Sequence, residues 1–294
     1  MKPGAVLAVA LVVPFATTLA DPVPPASAAA VCQGRPATIE GAHGIITGTE
    51  GDDVIVGHGT GTDVRALGGN DLVCVGGGQV STGPGDDSVV STAPAGAFTF
   101  VELVGGNDSY EGGAGTSEVV ADDVSSIHVV IGGPGTVELE PPSTPGTGSV
   151  KFGSAASHLY AFGEKEARVD LAAQTASVDR LLFVTTKGLR NATATGCKVR
   201  MKGNDKRNDL DAFGRDVVVS GGDGRDLLRV VVSAGLELPR CRHHQSVLRG
   251  QGGPDRLLGL LGNDVLIGGP GRDFADGGGG VDTCRAEVRK HCER

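Results

Sequence analysis

The chain has 294 residues, a formal net charge of −9 and 39% hydrophobic residues, with only 3% aromatics and no Trp. So few large rings argue against a thick conventional core and favour a narrow interior of Val, Leu, Ile and Ala. The 49 glycines follow no triplet period, which excludes collagen, and the modest acidity points to cations rather than nucleic acid as partners.

The first 30 residues read as an export leader. Lys2 is the lone early charge, 5–20 is an apolar run, and Ala26-Ser27-Ala28 and Ala28-Ala29-Ala30 fit the small-x-small pattern of a cleavage site. Pro14 interrupts the run, which is short for a bilayer span, so no stable membrane span is expected once it is removed. Bulky Val31 argues against a lipid anchor on Cys32. The protein is therefore expected to be secreted, extracellular or attached to the cell surface. Six cysteines in an exported chain favour disulfides. Pairing of sequence neighbours is expected: Cys32–Cys74, Cys197–Cys241 and Cys284–Cys292. No C-x-x-C occurs, which weakens a zinc or redox site.

Glycine and aspartate then recur on a beat of nine. "GTEGDDVIV" (48–56), "ALGGNDLVC" (66–74), "TGPGDDSVV" (82–90) and "LVGGNDSYE" (103–111) place Asp53, Asp71, Asp87 and Asp108 at the sixth position. "GHGTGTDVR" between the first two is out of step by one. The beat decays over 112–140, where Ser117 and Val137 replace the aspartate, and metal-free coils are expected there. Residues 31–140 are read as an N-terminal roll and "PPSTPGTGS" (141–149) as a loop or linker. Residues 150–249 are read as an irregular solenoid segment, in which "CKVRMKG" alternates cleanly and "GGDGRDLLR" (221–229) restores Asp226. No long amphipathic helix is expected.

From 250 to 285 the beat is unbroken: GQGGPDRLL, GLLGNDVLI, GGPGRDFAD and GGGGVDTCR. Gly253, Gly262, Gly271 and Gly280 hold the fourth position and Asp255, Asp264, Asp273 and Asp282 the sixth. Such self-similarity marks a stacked repeat architecture. Six residues form a loop and three an apolar strand, with position eight (Ile55, Val73, Leu228, Leu257, Leu266, Ala275) aimed into a thin core. The glycines let the loop curl, bringing backbone carbonyls and one carboxylate together. Two beats make a coil, so Asp255 is expected over Asp273 and Asp264 over Asp282, on opposite edges. Stacked carboxylates repel unless a cation lies between them, and an oxygen-only cage selects Ca²⁺ over Zn²⁺, copper or Mg²⁺.

The pattern Gly-Gly-x-Gly-x-Asp-x-apolar-x resembles the haemolysin-type calcium-binding repeats, or repeats-in-toxin (RTX). The resemblance is specific over 250–285, fair over 48–111 and at 221–229. It implies an all-β fold, a right-handed parallel β-roll with Ca²⁺ between coils. It assigns side-chain ligands to Asp255, Asp264, Asp273 and Asp282, then to Asp53, Asp71, Asp87, Asp108 and Asp226, with loop carbonyls at Gly253, Gly262, Gly271 and Gly280. Gln251, Leu260 and Arg272 depart from the pattern. The repeats run close to the C-terminus, where Cys292 is expected to staple the last coil through Cys284.

Three function classes remain at this point. The preferred one is a calcium-binding structural or adhesive module whose folding is coupled to ion uptake. The second is a calcium-dependent polysaccharide-active enzyme with its groove in 150–245. Carboxylate pairs such as Asp122-Asp123 or Glu164/Glu166, or an Arg or Lys base as in polysaccharide lyases, are its candidates, and no catalytic motif is found. The third is a polyanion-binding surface protein using the basic run 187–207, in particular Lys198, Arg200 and Lys202, where a solvated face is the plainer reading. His243-His244 reads as a surface loop rather than a metal site, and Asn191-Ala192-Thr193 as a weak glycan-acceptor match.

Overall fold

A computed structural model describes residues 29–231 and 245–294. Residues 1–28 of the leader, Cys241 and the His243-His244 pair lie outside the described residues, and with them the Cys197–Cys241 pairing. The described chain has no helix and is a parallel β-solenoid of about 13 turns.

Each turn contributes a strand to each of two facing sheets. Alternation along a strand sends every second side chain inward, so inward residues of successive turns line up in a column. In the first sheet this column runs Val64, Val80, Val101, Val119, Val137, Leu159 and on through Ala192, Leu210, Leu228 and Leu257 to Ala275. The second sheet stacks Ile55, Val73, Val89, Tyr110, Val129 and Val150 in the same way. One apolar cluster extends from Ile46 to Cys284. The side chains are short because the interior is thin. Where a large one enters, its polar end is satisfied: the Tyr110 hydroxyl lies 2.8 Å from that of Ser117.

The C-terminal beat takes the expected form. The strands Arg256–Leu258, Val265–Ile267, Phe274–Asp276 and Thr283–Arg285 have three residues each, and all six position-eight residues are fully buried. Val199 and Met201 face inward, while Lys198 and Lys202 are exposed and Arg200 pairs with Asp216 at 2.8 Å.

Two boundaries differ from expectation. The segment 141–149 makes no break, because Gly146–Phe152 pairs with Ser126–Ile131 on one side and Leu182–Lys187 on the other. Among its described residues, the segment read as irregular is regular except for one insertion. Glu166–Asp170 and Thr175–Val178 form an antiparallel hairpin placed within the second sheet, between Leu182–Lys187 and the 198–202 part of Asn191–Lys202. The buried Glu166 carboxylate anchors it, accepting from Arg168 at 2.7 Å and Arg180 at 2.8 Å. Both oxygens of Glu166 are thus held by guanidinium groups. The Asn191 amide is likewise held, by the carbonyls of Ala155 and Ser157.

Both ends are fastened. Cys32–Cys74, with Cα atoms 5.6 Å apart, pins the first hairpin onto the outer side of the second sheet, over Val54, Val56 and Leu72. Cys284–Cys292, 5.8 Å between Cα atoms, closes the last turn.

Candidate metal-binding ladders

The repeat loops place their sixth-position residues in three axial ladders along the edges of the solenoid. In the first, the backbone N–H of Asp53 donates to Oδ1 of Asp71 at 2.8 Å, that of Asp71 to Asp87 at 2.8 Å, and that of Asp87 to Asp108 at 3.0 Å. In the second, Asn208 donates to Asp226, Asp226 to Asp255 and Asp255 to Asp273, at 2.8–2.9 Å. In the third, Ser246 donates to Asp264 at 3.2 Å and Asp264 to Asp282 at 2.8 Å. Asp255 does lie over Asp273, and Asp264 over Asp282. The coils of the first ladder vary, since its aspartates are 18, 16 and 21 residues apart.

All nine repeat aspartates are between 0 and 6% exposed. Stacking uses only one oxygen of each carboxylate, and the direct axial contact is this hydrogen bond rather than a carboxylate pair facing across an ion. The other oxygen, Oδ2, is buried and without a hydrogen-bond partner in Asp71, Asp87, Asp108, Asp226, Asp255, Asp273 and Asp282. A buried carboxylate oxygen lacking a donor is costly, and it is the donor set a hard cation takes. Burial, with the charges of neighbouring aspartates and against the ladder hydrogen bonds, pushes Asp71 and Asp226 up to about 6 and Asp108 and Asp255 up to about 7. Asp87 and Asp264 are also raised, burial being the main cause.

Asp53 and Asp264 differ from the rest. Burial opposes ionisation of Asp53, but donors from Thr49 and Thr38 fill both its oxygens and hold it below the ordinary carboxylate range. It closes a ladder, with no oxygen left over. In Asp264 the second oxygen accepts a long bond from the Leu260 N–H at 3.3 Å.

The glycines of the repeat have two separate physical reasons. A Cβ on Gly250, Gly268 or Gly277, at position one, would collide with Oδ2 of the aspartate five residues on. At position four, Gly253, Gly262, Gly271 and Gly280 have φ of +110°, +117°, +156° and +139°. The carbonyls of Gly224, Gly253 and Gly262 point at the glycine of the following coil, where a Cβ would strike them. Each loop thus presents a carbonyl column beside a carboxylate column. Gln251 occupies a second-position site with φ +76°, a conformation its neighbours in the column, Gly222 and Gly269, adopt without cost. Among the described residues no three His, Cys, Asp or Glu side chains converge.

Several ladder residues escape a nine-residue pattern. Asn208, fully buried, stands at position six of a worn repeat, 203–211, and opens the second ladder. Glu287 and Glu293 end the second and third ladders by accepting the N–H of Asp273 and Asp282, each at 2.7 Å. An outer row of fifth-position side chains, Asp52, Asn70, Asp86 and Asn107, is linked by bonds of 2.7–2.9 Å. Its signal was present in the Asp or Asn that precedes each aspartate of the first ladder. The first ladder stops at Asp108 because Ile127 occupies the next register position.

Fold and loops together define a parallel β-solenoid with glycine–aspartate edge ladders. The family model described as the RTX calcium-binding nonapeptide repeat matches four copies, over residues 42–62 and 249–284. The chain carries RTX repeats, and these with the solenoid support a calcium-binding structural module. Asp71, Asp87, Asp108 and Asp226 stand outside the matched residues yet stack in the same geometry. No curated protein matches the chain.

Proposed function

We propose that this is an exported calcium-loaded rod, a structural or surface-adhesive module whose ladders take up Ca²⁺ and complete folding as they do so. The observation that carries the reading is the row of seven buried aspartate oxygens with no donor. Their Oδ2 atoms, with the carbonyls at Gly253, Gly262, Gly271 and Gly280, are the groups assigned to the ion. Bound calcium supplies the positive charge that lets these carboxylates ionise away from water. The chain's own contribution is positional: glycine loops bring the oxygens inward, ladder hydrogen bonds fix Oδ1, and the core columns set the coil spacing. Two disulfides among the described residues suit an oxidising compartment. Affinities of about 10⁻⁴–10⁻³ M, usual for extracellular modules, leave the ladders empty inside a cell and filled outside.

Calorimetry on the full chain tests this. Calcium should bind at several sites, and Asp273→Asn, which keeps the Oδ1 acceptor and removes the anionic oxygen, should lower the stoichiometry. Unchanged stoichiometry and affinity in that variant would count against Asp273 as a ligand.

A further inference from the structure

Aromatic side chains are scarce here, and few of them enter the core. Of eight Phe and two Tyr, Phe152 and Tyr110 are buried. Phe98, Phe100, Tyr160, Phe162, Phe213 and Phe274 instead alternate with inward residues on strands of the first sheet, and so share its outer face. Rings normally stabilise a fold by burial. Six of them gathered on one outward face mark a contact surface.

The rings form two main platforms. On His158–Phe162, the His158 and Tyr160 rings lie 4.6 Å apart, and Tyr160 and Phe162 lie 6.0 Å apart and within 7° of parallel. Phe98–Val104 carries Phe98 and Phe100. The register Phe100, Glu118, Thr136, His158 puts three strand spacings between the platforms, roughly 14 Å along the axis. The strip between holds Glu118, Asp122, Glu138 and Glu140, with Glu102 beside the first platform. None of these five carboxylates has an ion pair among the described residues. Beyond Phe100 the face opens into adjoining grooves of about 690 and 570 Å³, lined in part by Phe98, Gln79 and Asp63, and by Phe100 and Glu102.

We propose that the outer face of the first sheet binds a cationic polysaccharide, a chain of amino sugars with free ammonium groups, laid along the solenoid axis. Ring faces stack on the apolar C–H faces of the sugars, and the intervening carboxylates take up ammonium and hydroxyl groups, with cation–π attraction adding at the platforms. Anionic polymers are repelled by the same carboxylates. A basic peptide satisfies the charge but offers no flat apolar ring to match the parallel Tyr160 and Phe162. The carboxylates concerned lie outside the three ladders, so the proposal adds a partner to the calcium-loaded rod and needs only that the rod be folded.

The test is calorimetric titration of the full chain, in saturating calcium, with a partially de-N-acetylated chito-oligosaccharide. Melting of every variant under the same conditions separates loss of fold from loss of binding. Binding should weaken about tenfold or more in Tyr160→Ala/Phe162→Ala, in the volume-keeping Tyr160→Leu and in Glu118→Gln/Glu138→Gln. Phe183→Ala, on the opposite sheet, should bind as the parent does. No binding by the parent overturns the proposal, as does binding undiminished in the ring variants. Equal binding of oligolysine or of the fully acetylated oligomer overturns it too, the first showing charge alone and the second no role for the ammonium groups.

Discussion

Seven buried carboxylate oxygens without donors are the least comfortable atoms of the fold, and the glycines around them are explained by the same packing. Gly268 faces Oδ2 of Asp273, while Gly271 faces the carbonyl of Gly253 at φ +156°. Gly271→Ala therefore meets both steric collision and an unfavourable dihedral. It should destabilise the calcium-loaded protein by about 1–3 kcal/mol, read as a lower melting temperature. An unchanged melt would mean that the carbonyl column is looser than described. These residues were legible in the sequence because their constraint repeats every nine positions. Glu287 and Glu293 were not, since each ends a ladder from outside the repeat frame and is recognised only once the tail is folded back.

At the level of the coil, the ladders couple protons to folding. The carboxyls of Asp71, Asp108, Asp226 and Asp255 are raised from 3.8 to about 6–7, chiefly by burial. Between those values the ion-free folded chain holds protons that the unfolded chain has released, so its stability falls as pH rises through that window. Calcium bound as proposed would take the deprotonated form and reverse the trend. In chelator the melting temperature should drop between about pH 5 and pH 7.5, and in excess calcium it should hold or rise. A chelated protein that is more stable at the higher pH would refute the buried, donor-free state of these groups. The apolar beat was readable for the same reason as the glycines: Ile55, Leu257 and Leu266 return at position eight and all face inward. The hairpin at 166–178 was not readable. Its strands alternate as parallel ones do, and direction follows only from the 171–174 turn that reverses the chain.

Across the whole molecule, about 13 turns share one core, and neighbouring turns supply most of each other's contacts, as in other solenoids. Stability then depends on how the ends are closed. At the C-terminus the tail returns through the disulfide, and the N–H groups of Glu293 and Arg294 both donate to the Asp282 carbonyl at 3.1 Å. Cys292→Ser should free Glu293 from the third ladder and speed amide exchange at 282–294 ahead of the central turns. Unaltered exchange there would mean the tail holds without its staple. The closure was anticipated from Cys284 and Cys292, whereas the unbroken sheet across 141–149 was not, because Pro and Gly marked a turn there without showing that the next strand resumes the same stack.

Thermal unfolding of the chelated full chain during calcium addition reads out whether calcium completes the ladder carboxylates. The melting temperature should climb with calcium, far less with magnesium, and climb less in Asp255→Asn and Asp273→Asn. A melting temperature indifferent to calcium, or an equal climb in both variants, would contradict that role for calcium.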